Sequence, residues 1–296
     1  MSQQISNLPR STRLRHAGKT FGFAWAKKTQ GVFGRWQQTS ESLIITIHAK
    51  HRSQILLSLS YGLDLNGLEV DFWKVGMDYD AVIFDKDGVL LDSMSNGFKW
   101  ADEMRIEMAR DLGKDIDMEE SKILVKASKV EELEEAVEET GLGAETIRDM
   151  EEEIAKRKIE KMKNGDIQLF RDTKEVLKEL ERKQIPKSVV SNAPEQTTRF
   201  TVKNFDLEKH FEKVLSPPLD DIHEFVRLKK PSPHMLEDAI DAMDASNPVM
   251  VGDSDDDIEA AKNVGIDSIF VNTNGGTDLD PTHKVQRLKR ILDLVR

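Results

Sequence analysis

Two aspartates one residue apart, Asp85 and Asp87, end the apolar run Ala81-Val82-Ile83-Phe84 and lead into Gly88-Val89-Leu90. In an extended segment alternate residues point to the same side, so this spacing brings the two carboxylates toward one ligand while Lys86 points away. Like charges at contact distance are costly unless a cation lies between them, and oxygen ligands suit a hard divalent ion such as magnesium. Asp-Gly is also among the commonest turn pairs, so the stretch alone reads equally as a turn closing a core strand. Three later segments bear on the choice: Ser191-Asn192, Lys229-Lys230-Pro231, and Gly252-Asp253-Ser254-Asp255-Asp256-Asp257. Singly, each has an ordinary reading as a helix cap, a surface cation, or acids at a helix N-terminus. A calcium loop beginning at Asp253 is excluded, because Ile258 and Val264 stand where glycine and glutamate are required.

The elements that carry these residues follow from periodicity. Residues 94–112 and 143–163 place apolar side chains three and four apart (Met104, Met108, Leu112; Ile147, Met150, Ile154), which predicts helices, with a further helix over 129–140 stopped by Gly141. Their charge runs, such as Glu151-Glu152-Glu153, read as solvated faces. Residues 93–167 thus form a helical insertion. After it, helices are predicted at 172–183, 195–204, 233–243, 256–264 and 285–295, alternating with strands at 188–191, 213–216, 248–252 and 268–271 and with a proline-marked loop at 217–231. Near-continuous apolar strands separated by helices imply an α/β fold, a Rossmann-like parallel sheet covered on both faces. Ligands of such sheets sit at the carboxyl ends of the strands, and there the acids, the hydroxyl and the lysine fall on one rim.

Composition limits the alternatives. A chain of 296 residues, 38% apolar, buries a substantial core in one to two domains. A formal charge of -11 argues against nucleic acid as the main partner. The absence of cysteine excludes disulfides, thiolate zinc sites and cysteine nucleophiles. No apolar run approaches the roughly 20 residues of a membrane span, which makes a cytoplasmic location the default. The charge is unevenly placed: residues 1–76 hold 4 acids and 10 bases, leaving 50 acids and 33 bases in residues 77–296. An organellar transit peptide or a basic nucleic-acid arm would fit the first segment. The preferred reading is that 1–76 is a disordered extension or not native coding sequence, with translation starting at Met77, because composition breaks within a few residues of it.

Asp85-x-Asp87-Gly88-Val89-Leu90, Ser191-Asn192, Lys230-Pro231-x-Pro233 and Gly252-Asp253-Ser254-x-x-Asp257-Ile258 together resemble the four motifs of the haloacid dehalogenase superfamily, in order, over residues 80–272. The insertion directly after the first motif is similar to the small helical cap of the phosphoglycolate phosphatase and beta-phosphoglucomutase branch. The resemblance implies a catalytic core of residues 77–92 and 168–296 with a cap of residues 93–167. It implies Asp85 as nucleophile, forming an aspartyl phosphate, and Asp87 as general acid and then base. Ser191, Asn192 and Lys230 would hold the phosphoryl oxygens. Magnesium would be bound by Asp85, Asp253 and the backbone carbonyl of Asp87, with Asp257 orienting that site from behind. An acid at Asp87 points to phosphate esters over halides, since a leaving halide needs no proton, and Lys86 departs from the apolar residue usual between the two acids.

The expected activity is therefore magnesium-dependent hydrolysis of a small phosphorylated metabolite, phosphoglycolate-like or a sugar phosphate. A sugar phosphomutase shares the motifs. A phosphoaspartate signalling module is remote, because receiver domains have about 120 residues and no inserted cap, whereas Asp85 and Asp253 are 168 residues apart. Substrate choice falls to cap side chains that face the rim, drawn from Lys99, Trp100, Arg105 and Lys126.

Overall fold

The computed structural model describes residues 13–16, 19–22, 24–28, 31–35, 45–51, 54–59, 69–70, 79–93, 99–127, 130–271 and 276–295. The chain divides into two units, Met1–Met77 and Asp78–Arg296. The first carries strands Arg13–His16 (β1), Lys19–Gly22 (β2), Ala24–Lys28 (β3), Gly31–Arg35 (β4), Ile45–His51 (β5), Gln54–Leu59 (β6) and Glu69–Val70 (β7). All pair antiparallel: β1 with β2 and β7, β3 with β4, β5 with β6. The sequence shows no sustained period here because the strands are short, and in three of the pairs, β1 with β2, β3 with β4 and β5 with β6, the partner follows after two residues, a common hairpin spacing. Met77, read above as a start site, lies outside the described residues, as do 94–98 at the beginning of the first predicted helix.

The second unit begins with strands Ala81–Phe84 (β8) and Leu91–Asp92 (β9). Helices Lys99–Asp111 (α1), Met118–Lys126 (α2), Val130–Thr140 (α3) and Ala144–Asn164 (α4) follow, then strand Gln168–Leu169 (β10) and helix Thr173–Arg182 (α5). The chain continues through Lys187–Val190 (β11), Glu195–Asn204 (α6), Lys213–Leu215 (β12), Ile222–Leu228 (α7), His234–Ala242 (α8), Pro248–Gly252 (β13), Asp255–Val264 (α9), Asp267–Val271 (β14) and His283–Val285 (β15). Six strands form one parallel sheet in the order β12-β11-β8-β13-β14-β15, as predicted for an α/β fold.

β8, β11 and β13 are buried on both faces, so β8 and β13 read as apolar runs, while β11 opens with buried Lys187 and Ser188 before Val189 and Val190. Alternate residues serve opposite layers. Val82, Phe84, Val189 and Val251 pack with Val176, Leu177 and Leu180 of α5. Ala81, Ile83, Val190 and Met250 pack with Leu236 and Ala239 of α8 and Ala260 and Ala261 of α9. Each fully buried large aliphatic or aromatic side chain is worth roughly 1.5–3 kcal/mol, so these layers fix the register. From β8 the chain builds outward to β11 and β12, then returns to β13 on the other side of β8. The strand order thus reverses beside β8, and a crevice opens at its carboxyl end.

Two short strands tie the helical block to the sheet, with Asp92 opposite Gln168 and Leu91 opposite Leu169 in an antiparallel pair. Its interior, built from Ala109, Leu133, Ile147 and Met150, also takes in Ile222, Phe225 and Val226 of α7. Neither α2 nor α7 is evident in the hydrophobic period, because 9 and 7 residues give it too few turns. Their caps were the available signal: Asp117 accepts from the backbone N–H of Glu119 and Glu120, and Asp221 from those of His223 and Glu224. The stretch 217–231 is therefore not a simple loop. The helix predicted at 285–295 is also corrected. The chain instead forms edge strand β15, with Val285 opposite Val271, and a 3-10 helix Leu288–Asp293 that buries Leu288 and Ile291, three residues apart, against the α5 layer.

Candidate active site

Register brings the motif residues to one level. Phe84 lies opposite Val189 and Val251, so Asp85, one residue on, and Ser191 and Asp253, two residues on, emerge at the crevice. Lys230 reaches them from the turn after α7. Its buried ammonium donates to Asp85 Oδ1 at 2.5 Å, to Asp257 Oδ1 at 2.6 Å and to the carbonyl of Val190 at 2.9 Å. Burial works against the charge on Lys230, but Asp257 and Asp85 outweigh it and raise its pKa. Asn192 fixes the loop that carries this lysine: its Oδ1 accepts from the Lys230 N–H at 2.7 Å and its Nδ2 donates to the Lys230 carbonyl at 3.0 Å. Ser191 is buried, and its Oγ accepts from the Ala193 N–H.

Asp257 has both oxygens committed. Oδ1 takes Lys230, while Oδ2 accepts from Ser254 Oγ at 2.6 Å and from the N–H groups of Ser254 and Asp253. As the third residue of α9, it closes the helix N-terminus back on Ser254 and so sets the direction of Asp253. Gly252 allows this approach, since a Cβ there would stand 2.2 Å from the Asp257 Cβ.

Asp87 departs from the extended alternation read in the sequence. The chain turns at Lys86, whose carbonyl accepts from the N–H groups of Leu90 and Leu91. The carboxylate of Asp87 consequently points toward the helical block instead of toward that of Asp85. Its Oδ1 accepts from Ser93 Oγ at 2.7 Å and from Lys158 Nζ of α4 at 2.6 Å, and its Oδ2 pairs with buried Lys86 Nζ at 2.8 Å. Lys86 therefore does not point away; it is an ion-pair partner. Burial disfavours ionisation of Asp87, yet Lys158 and Lys86 outweigh it and hold the carboxyl well below its usual range. Burial pulls the Lys158 ammonium down to about 8, with Asp87 opposing. Lys158 was missed in the sequence because it sits among other bases, although it occupies the buried stripe of α4 between Ile154 and Met162.

Oxygens of Asp85, Asp253 and Asp257 lie within 4.8 Å of one another. Burial, with neighbouring carboxylates adding to it, pushes Asp85 up to about 7 and Asp253 up to about 8. Gly88, at φ +79°, leaves room for the second of these, because a Cβ there would stand 1.8 Å from Asp253 Oδ2. An all-oxygen set of crowded acids fits a hard divalent cation, and the free lone pairs are those of Asp85 and Asp253.

A cavity of about 410 Å³ runs from Asp85, Ser191, Lys230 and Asp253 into the helical block, where Arg105, Ile154 and Phe225 line it. Of the four cap residues singled out in the sequence, Arg105 faces this cavity. Lys99 is exposed and pairs with Glu103. Trp100 packs under Lys161. The Lys126 side chain lies outside the described residues.

A reversing parallel sheet with converging carboxylates and a buried lysine at its carboxyl rim defines an α/β enzyme. The chain belongs to the haloacid dehalogenase-like hydrolases, a family that matches residues 79–265. No curated protein matches it. Among solved structures it is similar to CbbY from Rhodobacter sphaeroides in complex with phosphate (20% identity, 72% of this chain and 96% of that one, TM-score 0.56). A CbbY variant in complex with xylulose-(1,5)-bisphosphate gives 19%, 74%, 100% and 0.58. A hydrolase from Pseudomonas syringae gives 17%, 72%, 96% and 0.56. At these identities the likeness is one of fold. No helix among the described residues is long and apolar enough to cross a membrane.

Proposed function

We propose that the protein is a magnesium-dependent phosphatase that hydrolyses a small phosphorylated metabolite through an aspartyl phosphate on Asp85. In this reading residues 77–92 and 168–296 are the catalytic core and 93–167 the cap. The observation that carries it is the Lys230 ammonium held between Asp85 and Asp257 beside Asp253. The salt bridge occupies Asp85 Oδ1 and leaves the other oxygen of this buried carboxylate available to attack. An Asp85 oxygen–phosphorus bond forms as the ester phosphorus–oxygen bond breaks, and the electron pair leaves on the alcohol oxygen, which takes a proton. Water then attacks phosphorus, the bond to Asp85 breaks, and inorganic phosphate departs. Ser191 and Lys230 bind phosphoryl oxygens, while Asn192 serves them by clamping the Lys230 loop. A divalent cation held by Asp85, Asp253 and the Asp87 carbonyl supplies charge neutralisation at those oxygens.

The acid–base group is the Asp87–Lys158 pair acting as a unit. The pair holds one proton at a 2.6 Å hydrogen bond, available to the leaving oxygen, and Asp87 as carboxylate is the form that takes a proton from the attacking water. The CbbY structures support the substrate class, because the ligands bound there are phosphate and a sugar bisphosphate.

Phosphate release across a panel of phosphorylated metabolites is the test. Turnover should require magnesium, stop reversibly on chelation, and vanish in Asp85→Asn. Substantial turnover by that variant, or an isomerised sugar phosphate formed without free phosphate, would overturn the proposal.

A further inference from the structure

Lys229 lines the cavity and has a part in none of the steps above, yet it stands next in the chain to Lys230. It leaves α7 with ψ at 147°, an extended conformation in which consecutive side chains take opposite directions. The two ammonium groups separate accordingly. Lys230 Nζ goes to Asp85, Asp257 and the Val190 carbonyl, while Lys229 Nζ enters the helical block and donates to the Ala127 carbonyl at 2.6 Å. Ala127 caps the C-terminus of α2 and is buried in the interior of the block. A helix end of this kind leaves its last carbonyls without helical partners and carries partial negative charge, so a cation is favoured there. The Phe225 ring lies beside the same ammonium, its centroid 5.8 Å away.

The backbone between the two side chains has no slack. The Lys229 N–H donates to the Val226 carbonyl and the Lys229 carbonyl accepts from the Ser232 N–H, while both backbone groups of Lys230 are held by Asn192. Every polar group of the dipeptide thus has a partner, and its two side chains are fastened to different parts of the molecule, one to the cap and one to the carboxylates of the rim. Burial pulls the Lys229 pKa down, with Glu151 and Asp256 opposing. An apolar side chain would fill the position without the cost of burying a charge. What the ammonium adds is a fixed distance from cap to rim.

We infer that Lys229 is a positioning residue: anchored on the Ala127 carbonyl, it sets the place of the Lys230 ammonium beside Asp85, so that the chemistry depends on the cap being seated. The kinetic half of this inference rests on the phosphatase reading above. The test compares the full chain with Lys229→Met, which keeps the apolar stem and removes the donor. In hydrogen exchange, peptides covering residues 226–232 should exchange about tenfold faster in the variant, while those from β8, β13 and α4 keep the parent's rate. With magnesium and either p-nitrophenyl phosphate or acetyl phosphate, kcat should fall by about tenfold or more for both esters while KM stays within about twofold. For a parent that turns over these esters, parental kcat or parental exchange in the folded variant overturns the inference. A rise in KM alone also overturns it, by making Lys229 a contact to the leaving group, as does a lower urea midpoint with both kinetic constants unchanged, by reducing the residue to packing. Should Lys229→Met fail to fold, Lys229→Gln, one bond shorter and uncharged, takes its place. Release of phosphate by the parent from neither ester, or release that persists in Asp85→Asn, sinks the phosphatase reading instead, and the exchange rates alone then decide whether Lys229 holds Lys230.

Discussion

At the scale of single residues, two lysines do more than the motifs suggest. In the proposed mechanism Lys158 shares the acid–base proton with Asp87, so Lys158→Met should lower kcat by about 10²-fold for an alkyl phosphate, the usual size of an acid–base contribution. The loss should be smaller for p-nitrophenyl phosphate, whose phenolate leaves without a proton; equal losses on both esters in steady-state assays would reduce Lys158 to packing. Lys230 depends on its partners in a different way. Asp257→Ala strands a buried ammonium with Asp85 alone, and removing one member of such a pair costs roughly 3–5 kcal/mol, to be read as a lower urea midpoint. Asp85, Ser191 and Asp253 could be located in the sequence because each follows a strand on the same rim, and Lys230 because it lies in the proline-marked loop before α8. The direction of the Asp87 side chain could not, since it depends on a turn at Lys86 and on a lysine 71 residues away.

At the scale of elements, α7 links the chemistry to the helical block. It buries Ile222, Phe225 and Val226 among residues of α3 and α4, and its end delivers Lys229 and Lys230. Asp221 caps this helix, and Asp221→Ala should cost about 1 kcal/mol while raising KM more than it lowers kcat, because the wall of the cavity loosens before the rim does. Chemical denaturation and steady-state kinetics check the two halves of that expectation. The parallel sheet was readable from its apolar runs, α1 and α4 from their spacing, and α3 from the glycine stop at Gly141. Helices of 7 and 9 residues were not, as too few buried positions repeat, although the caps at Asp221 and Asp117 were present in the sequence. A charged residue on an apolar stripe is a usable signal too: Arg105 falls between Ala101 and Ala109 on α1 as Lys158 does between Ile154 and Met162 on α4.

At the scale of the whole unit Asp78–Arg296, the amino end of the sheet holds a second polar group, remote from the rim. Tyr79 Oη donates to Asp267 Oδ2 at 3.0 Å and lies 3.1 Å from Nε2 of His283 on β15. Burial pushes the His283 pKa down, with Asp267 opposing. The unfolded chain therefore takes up this proton first as pH falls, and stability is lost as pH drops through the ordinary histidine value of about 6.5 toward the lower folded value. His283→Gln should lose less stability than the parent between about pH 7 and 5, measured by urea unfolding at each pH. The pair β9 and β10 bears on descent as well as on shape. Outgoing and returning chains sit side by side, about 5 Å apart as neighbouring strands do, so a segment of any length whose ends meet can occupy this position without shifting a strand of the sheet. Exchange of the insertion would therefore leave the strands of the sheet in place but not the site untouched, because Lys158 of α4 would leave Asp87 with it and any replacement would have to bring a partner of its own.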